Sequence, residues 1–200
     1  MVIELDDSVH SELVPLSWLI GSWEGVGVVG YADTPEKQFG QRIDFVAHEG
    51  TPFLQYTAHA WLLSESGELE STLTLETGIW QLVRPHDNGD VGPGMMVPTE
   101  PQSFTTAAAV ETLRTNDEGF EIEAEIVHPH GVMELYAGTV RGPRIDLATD
   151  VVARTKTAKE YTASTRMYGL VGGELMWAWD MAAMGHELAS HSSARLKKLS

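Results

Sequence analysis

The 200-residue sequence predicts an all-β fold, a single antiparallel up-and-down β-barrel of about ten strands formed by residues 1–200 as one domain. Three observations carry this. Segments that alternate apolar and polar side chains recur along the chain, and a period of two belongs to strands. The turns between them are short and rich in Gly and Pro, so sequence neighbours pair antiparallel. No helical periodicity outlasts a few turns, which favours a barrel over a sandwich or a mixed fold.

The first strand is read at Gly21-Ser22-Trp23-Glu24-Gly25-Val26-Gly27, directly after the apolar Leu16-Ser17-Trp18-Leu19-Ile20. Glycine costs backbone entropy, so its repetition predicts a strand that bends sharply or lets another backbone come close. Trp23 then plugs one end of the barrel. Residues 38–47 and 53–63 follow as strands joined by the turn His48-Glu49-Gly50-Thr51-Pro52. Residues 71–83 alternate Leu73, Leu75, Thr77 and Ile79 against Thr72, Thr74 and Glu76. Each such segment is expected to turn its apolar side inward around a wide interior. In residues 120–127, Phe120, Ile122, Ala124 and Ile126 alternate with Glu121, Glu123 and Glu125, which places an acidic face in water. His128-Pro129-His130-Gly131 turns the chain into 132–140 and Gly142-Pro143 turns it into 144–154. A last hairpin, 158–171 and 174–184, bends at Gly172-Gly173.

Residues 84–118 break the pattern as an insertion loop, with Pro85, Gly89, Gly92-Pro93-Gly94, Pro98 and Pro101 ahead of a short helix expected within 105–113. A loop of this length is a surface excursion or a functional element, and the functional version is a lid over the barrel mouth.

Thirteen Lys+Arg against 29 Asp+Glu give a net charge of −16, which repels phosphate backbones and anionic membrane surfaces, so no nucleic acid or membrane partner is expected. No apolar run approaches the ~20 residues that span a bilayer, and residues 1–7 have no basic or hydrophobic leader pattern. The expected compartment is cytoplasmic. The absence of cysteine removes disulfides, zinc-thiolate sites, iron–sulfur clusters and thiol nucleophiles. Any metal therefore falls to His or carboxylate. Neither a G-x-S-x-G elbow nor a Walker loop is present, and the G-x-G-x-x-G from Gly25 to Gly30 lacks a βαβ setting.

Of the eight histidines, His48, His86, His128 and His130 read as solvated turn residues. His128 and His130 are too close in sequence, with no third ligand nearby, to make a convincing metal pair. His191 differs, because it follows Leu175-Met176-Trp177-Ala178-Trp179 and Met181-Ala182-Ala183-Met184. Methionine and tryptophan suit a wall against a flat apolar ligand. On the residues alone, an ordinary barrel core followed by an exposed tail histidine is the favoured reading.

The GxWxGxG of Gly21, Trp23, Gly25 and Gly27, together with the segment from Met181 through Gly185 and His186 to His191, resembles the nitrobindin family. The resemblance implies a ten-stranded barrel of fatty-acid-binding-protein or lipocalin-like architecture that binds haem b, one per chain. It further implies that His191 ligates the iron as the catalytic residue and that Met181 lies beside the haem. Family members carry a lysine just ahead of the segment Met167-Tyr168-Gly169-Leu170; this chain has Arg166, which the resemblance places near a haem propionate. His186 is assigned to a turn, since relatives usually have a different polar residue after this glycine. The implied activity is nitric oxide binding and isomerisation of peroxynitrite to nitrate at ferric haem. A homodimer is left open. The alternative is the same barrel without haem, or with weakly held haem, carrying a small apolar ligand.

Overall fold

A computed structural model describes residues 9–32 and 34–199; residues 1–7, read above for a leader, lie outside them. Ten strands, β1 (Gly21–Tyr31), β2 (Thr34–Ala47), β3 (Phe53–Leu63), β4 (Leu69–Leu82), β5 (Phe120–His128), β6 (Val132–Arg141), β7 (Arg144–Arg154), β8 (Tyr161–Val171), β9 (Glu174–Ala183) and β10 (Ala189–Lys198), follow one another along the chain. They form a closed barrel in the order β1-β10-β9-β8-β7-β6-β5-β4-β3-β2, antiparallel throughout. This is the up-and-down barrel read from the alternation.

The glycines of β1 do admit a second backbone. A Cβ on Gly25 would stand 2.2 Å from the Arg195 carbonyl oxygen, and one on Gly27 2.2 Å from that of Ser193. The approaching backbone is β10, a strand with so few apolar residues that alternation did not reveal it.

A 3₁₀ helix, Ser11–Leu19, seals one end. Its Leu13, Leu16 and Leu19 are fully buried, and Trp23 plugs that end with its indole N–H donating to the Leu19 carbonyl at 2.7 Å. Above this plug Phe45, Trp80 and Tyr168 pack edge to face, with ring centroids 5.4 and 5.1 Å apart. The interior is therefore filled with side chains at this end, where a wide cavity was expected. The facing of β4 is also corrected: Leu73 and Leu75 lie outside, 40% and 53% exposed, while Glu76 and Trp80 point in. An apolar-inward rule fails there because Glu76 has charged partners inside.

The insertion joins the closed-end termini of β4 and β5, which overturns the lid reading. Its helix α1 (Ala107–Glu111) packs on the 3₁₀ helix, and Ser11 donates to the Thr105 carbonyl at 2.8 Å. The Arg84 guanidinium bonds Glu12 of the 3₁₀ helix at 2.7 Å and also grips Asp90. The segment straps the sealed end, opposite the end of the barrel where β10 begins and His191 lies.

Candidate functional site

The residues with chemistry gather at the other end, around Trp179 on β9. Its ring meets the His191 imidazole edge to face at 5.0 Å, stacks on His128 at 5.6 Å, and lies 3.9 Å from the Arg166 guanidinium carbon. Met181, two residues along β9, shares a cavity of about 230 Å³ with Trp179, His128, Tyr161, Lys159 and Met184. Of the sequence-derived site residues, His191 and Arg166 thus meet at the Trp179 ring and Met181 shares its cavity, while His191 itself lines a separate hollow of about 190 Å³ with Gly30 and Tyr31. Gly21 and Trp23 of the glycine motif stand at the sealed end instead, where they support the β1–β10 seam. His186 is exposed in the turn after β9, its N–H bonded to the Ala183 carbonyl at 3.0 Å.

His191 owes its orientation to a bulge. The β9–β10 register skips from Ser190 to Ser192, so His191 is the extra residue, and a bulge re-aims a side chain that alternation would have turned away. Its Nδ1 is 3.1 Å from the Gly30 carbonyl oxygen. Because a carbonyl only accepts, Nδ1 carries the proton and Nε2 holds the lone pair, the tautomer typical of a metal-ligating histidine. Burial lowers the pKa of His191 below the ordinary histidine value, outweighing the opposing effect of the Gly30 hydrogen bond, so the ring is neutral near neutral pH. The neighbouring Trp179 N–H is buried with no partner.

Beneath Trp179 lies a buried charge cluster that the sequence reading missed. Arg166, 3% exposed, holds Glu76 with two bonds of 2.9 and 3.0 Å, and its Nη2 is 3.4 Å from Glu134, which is fully buried. Arg166 is thus an interior cation already engaged by carboxylates. Tyr136 and Ser164 donate to Glu134 at 2.6 and 2.8 Å, Tyr161 donates to it as well, and Tyr56 donates to Glu76 at 2.7 Å. His128, read above as a solvated turn residue, is 10% exposed; its Nε2 is 2.6 Å from Glu134 and its Nδ1 3.5 Å from Glu76. Burial pushes the Glu134 carboxyl up, but the His128 hydrogen bond and the Arg166 and His128 charges outweigh it and bring it down to about 2. Glu76 is likewise lowered: burial opposes, and Arg166 and His128 prevail. The available signal was phase, since Glu76 shares a strand face with Trp80, and Glu134 shares one with Tyr136.

A family profile described as "THAP4-like, heme-binding beta-barrel domain" matches residues 12–198. The chain belongs to this haem-binding barrel family, the nitrobindins. Among curated members of the nitrobindin family, it is 54% identical over 200 residues to a peroxynitrite isomerase of Leifsonia xyli, covering 98% of this chain and 99% of the relative. It is 50% identical over 199 residues to a peroxynitrite isomerase of Kocuria rhizophila, covering 100% and 96%. Among solved structures, that of Rv2717c from M. tuberculosis superposes with a TM-score of 0.69 at 28% identity, covering 96% of this chain and 99% of that one.

The donor set fits the haem of this family. Among the described residues no group of three or more His, Cys, Asp or Glu is placed to hold a metal ion, so a metal here must bring most of its own ligands. One neutral imidazole whose Nε2 keeps its lone pair, held between the Trp179 and Tyr31 rings, meets that requirement.

Proposed function

We propose that the chain is a haem-dependent peroxynitrite isomerase in which His191 is the protein ligand to the iron. The single observation that carries this is the His191 tautomer, set by Gly30 so that Nε2 keeps its lone pair for a ligand. The names of the relatives, at about half identity over the full length, support the reaction. Haem, when bound, supplies a Lewis-acidic iron that polarises the peroxide bond and can also take nitric oxide.

The chain's own residues do the rest. The Gly30 carbonyl, by accepting from Nδ1, raises the basicity of Nε2 and holds the ring plane. Trp179, Met181 and Val132 give the cavity an apolar lining. Lys159 is a cation on its rim, suited to an anionic substrate on an otherwise acidic protein. Glu76, Glu134 and His128 are tied to one another and to Arg166, so none of them acts as a free base, and isomerisation needs none. Arg166 would act on the cofactor as a cation beneath Trp179, with its charge shared between Glu76 and Glu134.

The cavity of about 230 Å³ beside Met181 and the hollow of about 190 Å³ beside His191 are each below the ~300–1,000 Å³ of typical ligand pockets, so the mouth would have to widen around Trp179 to admit the cofactor. Widening is cheapest between β7 and β8, whose ladder pairs only Arg144–Ala148 with Thr165–Gly169; beyond it, Thr149 Oγ1 bridges to Ser164. The carrier alternative is disfavoured by the same interior. A small apolar ligand needs an apolar bed, and the interior beneath Trp179 is occupied by the buried charges of Arg166, Glu76 and Glu134. Among the described residues no helix is long and apolar enough to cross a membrane.

The test is a hemin titration followed by absorption, with peroxynitrite decay measured on the same samples. The parent should give a ferric Soret band and accelerate decay; in His191→Ala the band should shift to that of hemin held without a protein ligand and the acceleration should be lost, while His186→Ala keeps both. Loss in His186→Ala with His191→Ala unchanged would overturn the ligand assignment.

A further inference from the structure

Tyr31 ends β1, on the opposite side of β10 from β9 in the barrel order. Its side chain nonetheless reaches β9. The hydroxyl accepts from the Ala183 N–H at 2.9 Å and donates to the Met181 carbonyl at 3.1 Å. On the way, its ring stands edge-on to His191, with centroids 5.8 Å apart at 89°. Three groups therefore confine the imidazole: the Gly30 carbonyl on Nδ1, the Trp179 ring at 80°, and Tyr31.

From this geometry we infer that Tyr31 is the positioning residue for His191, latching the end of β9 through its hydroxyl and backing the imidazole with its ring. The inference rests on the reading of His191 as the iron ligand. His191 lies in a bulge, where the ladder that would normally fix a strand residue is interrupted. The Nδ1 bond alone is a pivot, about which the ring can swing. Tyr31 and Trp179 turn that pivot into a fixed direction for Nε2. The latch also ties Met181 to His191, because the hydroxyl that holds the Met181 backbone belongs to the ring that abuts the imidazole.

The latch is distinct from general support of the barrel mouth, and a double-mutant cycle separates the two. Hemin dissociation and the low-temperature ferric EPR spectrum are measured for the hemin-loaded parent, Tyr31→Phe, His191→Ala and the double variant. Circular dichroism of the unloaded proteins checks folding. Loss of a single hydrogen-bonding hydroxyl predicts hemin release roughly 3- to 10-fold faster in Tyr31→Phe. A single EPR species in the parent should become a mixture of orientations. In the His191→Ala background, Tyr31→Phe should change nothing further. Tyr31→Leu, which also removes the ring edge, should exceed Tyr31→Phe.

If Tyr31→Phe speeds release equally in both backgrounds, or leaves release and EPR unchanged, Tyr31 is ordinary mouth structure and the inference fails while His191 stands. If His191→Ala keeps the parent's spectrum and release rate, the ligand assignment itself has failed.

Discussion

The two ends of this barrel are made from the same ten strands and solve opposite problems. At the sealed end the ladders run in regular register, the 3₁₀ helix buries three leucines, and Trp23 completes the plug. At the open end the ladders break: register shifts occur at Val29/Tyr31, Ala60/Trp61, Tyr161/Ala163 and Ser190/Ser192. Each shift is a local cost in backbone pairing, and one of them turns His191 toward Trp179. The interior changes character along the same axis, from aromatic packing around Trp80 to the ion cluster around Arg166. The apolar plug stands where the chain is regular, and the residues with chemistry stand where it is irregular.

The sharpest way to break this division is Arg166→Met. It strands two buried carboxylates, so it should cost about 3–5 kcal/mol in urea unfolding and weaken hemin binding together with stability. Adding Glu76→Gln and Glu134→Gln should recover part of the loss. Recovery of stability without recovery of hemin binding would show that the Arg166 charge also serves the cofactor. Arg84→Met probes the other end. It leaves Glu12, with a side chain 3% exposed, without its ion partner and should cost about 2–3 kcal/mol. Hemin release from the folded protein should stay at the parent rate. A faster release would show that the strap of residues 84–118 is felt at the mouth.

The fold was legible because strand alternation survives wherever one face is packed and the other wet, as in Phe120, Ile122, Ala124 and Ile126, all buried. The tenth strand was not. Its inward residues, Ser192, Ala194 and Leu196, are small or few because Gly25 and Gly27 bring β1 hard against it, so the glycine signal on one strand was the only trace of the other. The site divided in the same way. His191 stood out through family resemblance, and its bulge has no sequence signature. The ion cluster was hidden because its members come from β4, β5, β6 and β8; Glu76 and Glu134 look solvated until Arg166 and His128 are seen between them. The insertion was recognisable as an insertion, but which end it covers depends on strand direction.

The last and smallest expected effect compares a carboxylate from each end under acid. Glu134 is brought down to about 2, as described, and Asp90 is also held below the usual carboxylate range by its hydrogen bonds from Arg84. For both, the folded pKa lies below the unfolded one, so the unfolded chain binds more protons as the pH falls. The stabilisation is complete above the ordinary carboxylate pKa and is lost as the pH drops toward the folded value. One such group tilts stability by at most about 1.4 kcal/mol per pH unit. Glu134→Gln and Asp90→Asn should each flatten the plot of stability against pH below about 4.5, measured by urea unfolding. Glu134→Gln should flatten it more, because Glu134 is fully enclosed, whereas the Asp90 side chain is 16% exposed and water screens its partner. Equal flattening would mean that both ends are held by ion pairs of similar strength, and that the open end's distinction lies in its backbone irregularity alone.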